Sequence, residues 1–409
     1  MKVPFKKTSR LMMLCLLLCQ ASLASGASDE MPIIAYWGVP DAHTSEENFR
    51  IISECGFTVS LFPYSSLDRL VQACRNADKY GVKILGQCPE MTLTPEKAAH
   101  TLKKENGFFG YFMQDEPSVP EIRQKQKDIQ KLQNIDDTHC FYINLFPYSK
   151  PEWIEASTKA KTYPEYLQAA SSTSCQQISF DFYPITTRGL HANWYHNLEM
   201  VRHESVVSGK PFWGFVLSVP HSVPFSSGNY YPTPTIASLR LQIYSNLAYG
   251  AQGIQYFTYW TPEKSSDKSN DFGFHDAPIS PKGQKTRTYD VVQQMNKELK
   301  LIARLFYGAR VTAVNHLGKV ASGTTKLASA PLNISNLRIS SRKGAVVSQF
   351  EKDGHQYLAI VNKDYQKSME VQVKPKNSQP QHVTKSLQAE PIKPNYTLEP
   401  GDILLFRLL

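Results

Sequence analysis

Eight short apolar or aromatic runs recur along this chain with helix-like segments between them, and that alternation limits the fold more than any other feature. The runs cover residues 33–39, 58–64, 82–88, 108–113, 139–146, 178–185, 211–219 and 253–260. The segments between and after them cover 46–55, 66–80, 95–104, 119–133, 163–171, 194–207, 235–249 and 289–305. Several carry apolar residues three and four apart, as Leu67, Leu70, Val71 and Cys74 do, and again Ile236, Leu239, Ile243 and Leu247. Strand alternating with helix implies a parallel sheet, and eight repeats at this spacing predict an α/β fold closed as a (β/α)8 TIM barrel. An open doubly wound sheet is the competing arrangement, but no glycine-rich phosphate turn follows the first run.

Past Phe306 the helical period disappears. Runs at 345–350, 357–361, 369–373 and 403–408 are separated by turn residues such as Lys352-Asp353-Gly354, which predicts a small C-terminal antiparallel β-sandwich. The expected organisation is a leader over 1–27, a barrel over 28–307 and the sandwich over 308–409. The sandwich reads as a brace for the barrel rather than a sugar-binding module, because it contains no cluster of exposed-looking aromatics.

The leader begins with Lys2, Lys6, Lys7 and Arg10, continues with an apolar run over 11–18 and ends in the small residues Ala21, Ser22, Ala24 and Ala27. That order belongs to a secretory signal peptide, and the apolar run is too short to span a bilayer. The expectation is a soluble periplasmic or extracellular protein with no membrane span. A lipid anchor at Cys19 is the alternative, although Leu18 suits that modification poorly. Of the 45 basic residues four lie in the leader, so 41 face 36 acids and the remainder carries about +5. Charges of both signs are interspersed, so no nucleic-acid partner is expected. Cys55, Cys74, Cys88, Cys140 and Cys175 are odd in number and irregularly spaced, and read mostly as small buried hydrophobes, with a Cys74–Cys88 bridge as the alternative.

In a barrel of this kind the site lies at the carboxyl ends of the strands. The fourth run ends in Phe112-Met113-Gln114-Asp115-Glu116-Pro117, two adjacent acids after apolar and aromatic residues. A carboxyl repelled by its neighbour and walled by aromatics has a raised pKa, as a general acid near neutral pH requires, and Glu116 is the candidate. The duller reading makes Asp115 a helix cap and leaves Glu116 in solvent. Hydrolysis of a glycosidic bond needs a second group, and the seventh run, Phe212 to Val219, offers no carboxylate. In the sixth run Asp181 and Tyr183 alternate onto one face, so Asp181 is the candidate base or nucleophile, or else a support for Tyr183. Alternatively the substrate supplies its own 2-acetamido nucleophile, with Asp115 orienting the amide, Glu116 protonating the leaving group and Tyr183 bonding the acetamido oxygen. Further expected contacts to substrate are Trp37, Tyr36, Tyr64, Glu90, Asn144, His221, Tyr259 and Trp260, with helix capping as the alternative for Glu90 and burial in barrel layers for each aromatic. Asp271, His275 and Asp276 fit no zinc spacing, so no metal and no cofactor are expected.

The run from Ser238 to Trp260 resembles the last helix–strand unit of the glycosidase superfamily barrels related to the bacterial β-galactosidase group, with a small-residue helix end, a Gly253-Ile254 entry and an aromatic eighth strand. The triplet Asp115-Glu116-Pro117 is similar to the acidic pair of barrel hexosaminidases, with Gln114 where a glycine often stands. Together the barrel and terminal sandwich resemble exported enzymes of gut Bacteroides-like bacteria. The resemblance implies a glycosidase acting on oligo- or polysaccharide; a glycan-binding barrel that has lost its nucleophile is the alternative.

Overall fold

The computed structural model describes residues 30–223, 226–263 and 272–409; the leader over 1–27, Cys19 and Asp271 lie outside the described residues. Eight parallel strands close a barrel: β1 Ile33–Tyr36, β2 Val59–Pro63, β3 Lys83–Gln87, β4 Phe108–Asp115, β5 Cys140–Leu145, β6 Ile178–Phe180, β7 Phe212–Leu217 and β8 Gly253–Phe257. β1 pairs with β8 in register Ile33 to Ile254, which completes the ring. The helices around it are α1 Glu46–Glu54, α2 Leu67–Asp78, α3 Pro95–Leu102, α4 Val119–Gln133, α5 Tyr163–Ser171, α6 Trp194–Ser208, α7 Ile236–Tyr249 and α8 Arg287–Phe306.

The strands are mostly apolar because both their faces are covered. Ile33 and Ala35 of β1 pack outward under the helices, while Ile34 and Tyr36 point into the barrel with Leu61, Leu85, Phe112, Tyr142, Trp213 and Phe215. Helix entries follow local chemistry: Ser45, Ser66 and Thr162 accept from the third residue of α1, α2 and α5, and Ser118 with Glu121 forms a capping box on α4. All five cysteines of the described chain are free thiols, so Cys74 and Cys88 form no bridge.

α7 is buried from Ser238 to Tyr249 on every side except Arg240. The reason lies in the C-terminal strands β9 Arg310–Leu317, β10 Ile334–Ile339, β11 Ala345–Lys352, β12 His355–Asn362, β13 Met369–Pro375, β14 Gln381–Val383, β15 Ala389–Pro391, β16 Asn395–Leu398 and β17 Ile403–Arg407. They form two antiparallel sheets, in the orders β9-β11-β12-β17-β14-β15 and β10-β13-β16. Residues of the larger sheet alternate between two cores. Val347, Leu358, Ile360, Leu404 and Phe406 face the smaller sheet, whereas Val346, Phe350, Ala359, Val361 and Leu405 belong to the same apolar cluster as the barrel's outer layer. Gly401 allows the closest approach: a Cβ there would lie 2.2 Å from the carbonyl oxygen of Ala237. Ion pairs lock the seam. Glu298 of α8 meets Arg240 at 2.7 Å and Lys385 at 2.7 Å, and Lys385 also meets Asp402 at 2.6 Å.

Candidate active site

A β-bulge decides where Asp115 points. β4 pairs with β5 as Phe112 to Tyr142 and then Gln114 to Ile143, so Met113 is an extra residue in the ladder. Phe112 points into the barrel and Met113 outward. Strict alternation would then turn Gln114 inward and Asp115 away; the bulge reverses this and re-aims Asp115 at the barrel interior. The side chain of Gln114 instead donates to Glu121 of α4.

Glu116 follows in the left-handed region, φ 42°, an uncommon conformation for a residue with a Cβ. Its backbone N–H donates to the carbonyl oxygen of Asn144 over 2.8 Å, and the next residue is pinned by Tyr166 of α5, whose hydroxyl donates to the Pro117 carbonyl over 2.7 Å. The N-cap of α4 is Ser118, so Asp115 is no cap. Asp181 stands one residue past β6, and Tyr183 donates to its Oδ2 over 3.1 Å. Asp181 Oδ1 is buried and meets no donor among the described residues.

Three carboxyls thus converge, and their charges cannot coexist cheaply. Glu116 is pushed up to about 7 by burial and by the charge of Asp115, opposed by contact with Asp181. Asp181 is held well above the ordinary carboxylate range by burial and by the charges of Glu116 and Asp115. Burial raises Asp115 as well, but bonds from Asn144, Tyr36 and the Glu116 backbone pull against it. Asp115 and Glu116 remain open to solvent at the mouth while protein surrounds them on the other sides. Asp115, held by these donors, gives up its proton before the other two, and its charge then favours protons on Glu116 and Asp181.

Other expected contacts are distributed differently. Trp37, half-buried with φ 52°, packs on Phe62 at 4.8 Å beside the mouth, and Tyr183 stacks on Phe257 at 5.4 Å. Tyr36 and Asn144 reach Asp115 rather than open space; Asn144 is buried and donates to Asp115 Oδ1 over 3.0 Å. Five expectations, Tyr64, Tyr259, Trp260, Glu90 and His221, are corrected. Tyr64 is buried toward Cys74 in the layer under α2. Tyr259 packs edge-on against Phe57 at 5.3 Å in the same outer layer, because it lies past the end of β8. Trp260 is only 3% exposed and stacks on His43, so it offers no ring face to a sugar. Glu90 accepts from the backbone N–H of Leu67 over 3.0 Å and so holds the start of α2. His221 is buried between Tyr231 and Phe274, its pKa lowered to about 4 by desolvation, so it stays neutral one layer behind Tyr183.

Two kinds of residue escaped the reading from sequence. Tyr166 lies inside the helical segment 163–171, where nothing local marks a hydroxyl that reaches the strand ends. Ser179 and Gln255 are polar residues at inward positions of otherwise apolar strands, a signal available in Ile178-Ser179-Phe180 and Ile254-Gln255-Tyr256.

Residues 145–302, from the end of β5 to α8, match the Glyco_hydro_42 family model, described as beta-galactosidase. The second half of the barrel is thus similar to that of a glycoside hydrolase family. The matched stretch carries Asp181 and Tyr183, while Asp115 and Glu116 precede it. Among solved structures, a protein titled glycoside hydrolase aligns over 92% of each chain at 12% identity with a TM-score of 0.56. The β-galactosidase of the psychrophilic Marinomonas ef1 aligns over 93% of this chain and 100% of its own at 8% identity and a TM-score of 0.50. At such identities the likeness is one of fold. No curated protein matches this chain in sequence, and none of the described helices is long and apolar enough to cross a membrane.

Proposed function

We propose that this glycosidase cleaves oligo- or polysaccharide with Glu116 as general acid, Asp115 as the standing negative charge beside the reacting carbon, and Asp181 as the second reacting carboxylate. The observation that carries this reading is the convergence of three carboxyls at the ends of β4 and β6, with Glu116 pushed up to about 7 beside a donor-held Asp115. A protonated Glu116 gives its proton to the glycosidic oxygen as the bond to the anomeric carbon breaks. The positive charge that develops on the sugar is opposed by Asp115. Asp181 reacts as the carboxylate, once its proton has left to solvent: it then receives a proton from attacking water or attacks the anomeric carbon itself, its Oδ1 being unpartnered among the described residues. The absence of a carboxylate on β7 among the described residues leaves this second role to β6. Trp37 and Tyr183 frame the sugar. The leader over 1–27 supports export to the periplasm or beyond, which N-terminal sequencing of the mature protein tests.

The deciding experiment is hydrolysis of a panel of aryl glycosides and natural oligosaccharides by the wild type and by Glu116→Gln, Asp181→Asn and Asp115→Asn. Loss of turnover in Glu116→Gln with sugar binding retained is the expected outcome. Unchanged hydrolysis by that variant overturns the assignment, and saccharide binding without product by the wild type replaces the enzyme with a glycan-binding barrel.

A further inference from the structure

Inside the barrel, beneath the carboxyls, lies a polar chain that the proposed chemistry does not itself use. Tyr142 of β5, Ser179 of β6 and Gln255 of β8 are fully buried in an otherwise apolar interior. Gln255 Nε2 donates to Ser179 Oγ over 2.8 Å. Tyr142 donates to Gln255 Oε1 over 2.7 Å and lies 2.8 Å from Ser179 Oγ. Ser179 in turn donates to Asn144 Oδ1 over 2.9 Å, and Asn144 Nδ2 donates to Asp115 Oδ1 over 3.0 Å.

We infer that Ser179, backed by Gln255 and Tyr142, is a positioning residue that orients the Asn144 amide and thereby keeps Asp115 the charged member of the carboxyl trio. The inference rests on the trio being the active site. Its argument is one of proton direction. Gln255 sends a proton into Ser179, and the Tyr142 proton is committed to Gln255 Oε1, so the Ser179 proton is directed to the amide oxygen of Asn144. That turns the amide nitrogen on Asp115. The opposite amide orientation would set Asn144 Oδ1 against the carboxylate oxygen, which is tolerable only if Asp115 is protonated. Amide orientation and the charge of Asp115 are therefore linked, and a buried chain with each member bonded has little freedom to choose otherwise. The groups facing Asp115 are Glu116 next to it in the chain, Tyr36 from β1, Tyr142 from β5, Asp181 and Tyr183 just past β6 and Tyr166 from α5. Burial holds all four tyrosines protonated, so only Glu116 and Asp181 exchange protons with Asp115.

The test titrates Asp115 directly. Protein labelled with 13C at aspartate side-chain carboxyls is followed by NMR in the Glu116→Gln background, with and without Ser179→Ala, and the Asp115 signal is assigned through Asp115→Asn. The expected result is a rise of about one pH unit in the Asp115 midpoint, a tenfold gain in proton affinity, largely reversed by Ser179→Thr. In the otherwise wild-type enzyme Ser179→Ala should move the acid limb of kcat/KM upward by the same amount and leave KM unchanged. Should Ser179→Ala fail to fold, Gln255→Met removes the donor behind Ser179 and should shift the midpoint in the same direction. An unmoved midpoint, or activity lowered equally at every pH, overturns the relay. Continued hydrolysis by Glu116→Gln would instead refute the assignment of the acid, and the NMR titration would still decide the relay.

Discussion

The hydroxyl of Tyr166 donates to the carbonyl oxygen of Pro117 over 2.7 Å and accepts from the backbone N–H of Phe146 over 3.3 Å, so one helix residue ties together the strand ends that carry Glu116 and Asn144. The left-handed turn at Glu116 depends on such support. Tyr166→Phe should lower kcat about tenfold or more with little change in KM, since the acid loses its placement and the sugar contacts remain. It should also cost about 1–3 kcal/mol of stability, because a buried carbonyl and N–H lose their partner. Steady-state kinetics and chemical denaturation check both.

Glu116 carries a pH signature of known sign. Its folded pKa, about 7, lies above that of an unfolded glutamate, so its contribution to stability is complete in acid and is lost as pH rises through 7. Activity that requires the proton should fall over the same range. Glu116→Gln should leave the melting temperature at pH 5 nearly unchanged and raise it at pH 8. The gain should be about 1 kcal/mol or less, because the carboxyl is open to solvent at the mouth.

The ion-pair seam has the opposite sign. Burial raises Glu298, but bonds from Arg240, Lys385 and Tyr244 outweigh it and bring the carboxyl to about 2. Its contribution is therefore present above the ordinary glutamate range and disappears as pH falls from about 4 toward 2. Glu298→Gln should destabilise the folded chain at pH 7 by about 1–2 kcal/mol, a figure reduced from that of a fully buried pair because these side chains keep some exposure. The difference should vanish near pH 2, as read by thermal unfolding of both proteins.

The aromatics around the mouth divide by what they touch. Tyr64 and Tyr259 are buried with hydroxyls that lack a partner among the described residues, so Tyr64→Phe and Tyr259→Phe should leave stability unchanged or raise it. Tyr259→Ala should cost about 3–5 kcal/mol through the cavity it opens. Trp37→Ala should raise KM several-fold while leaving the melting temperature within a few degrees of wild type, and unchanged KM would remove Trp37 from the sugar site.

The sequence by itself determined the eight strand–helix repeats, the change of period after Phe306 and the carboxyl candidates Asp115, Glu116 and Asp181, because burial imposes periodicity and strand ends carry polar residues. It could not tell a mouth aromatic from a core aromatic: Trp37 and Trp260 both follow apolar strand residues, yet in the folded chain one stays half-buried against Phe62 and the other is buried against His43. Nor could it reveal the extra residue Met113, since a bulge is a fact of pairing between two strands. The full burial of α7 likewise came from a sheet more than sixty residues away in the chain. The order in which the three carboxyls release their protons is a tertiary property. Charge on Asp115, protonation of Glu116 and the orientation of Asn144 depend on groups from β1, β4, β5, β6 and β8 meeting at one end of the barrel, and no local pattern encodes that meeting.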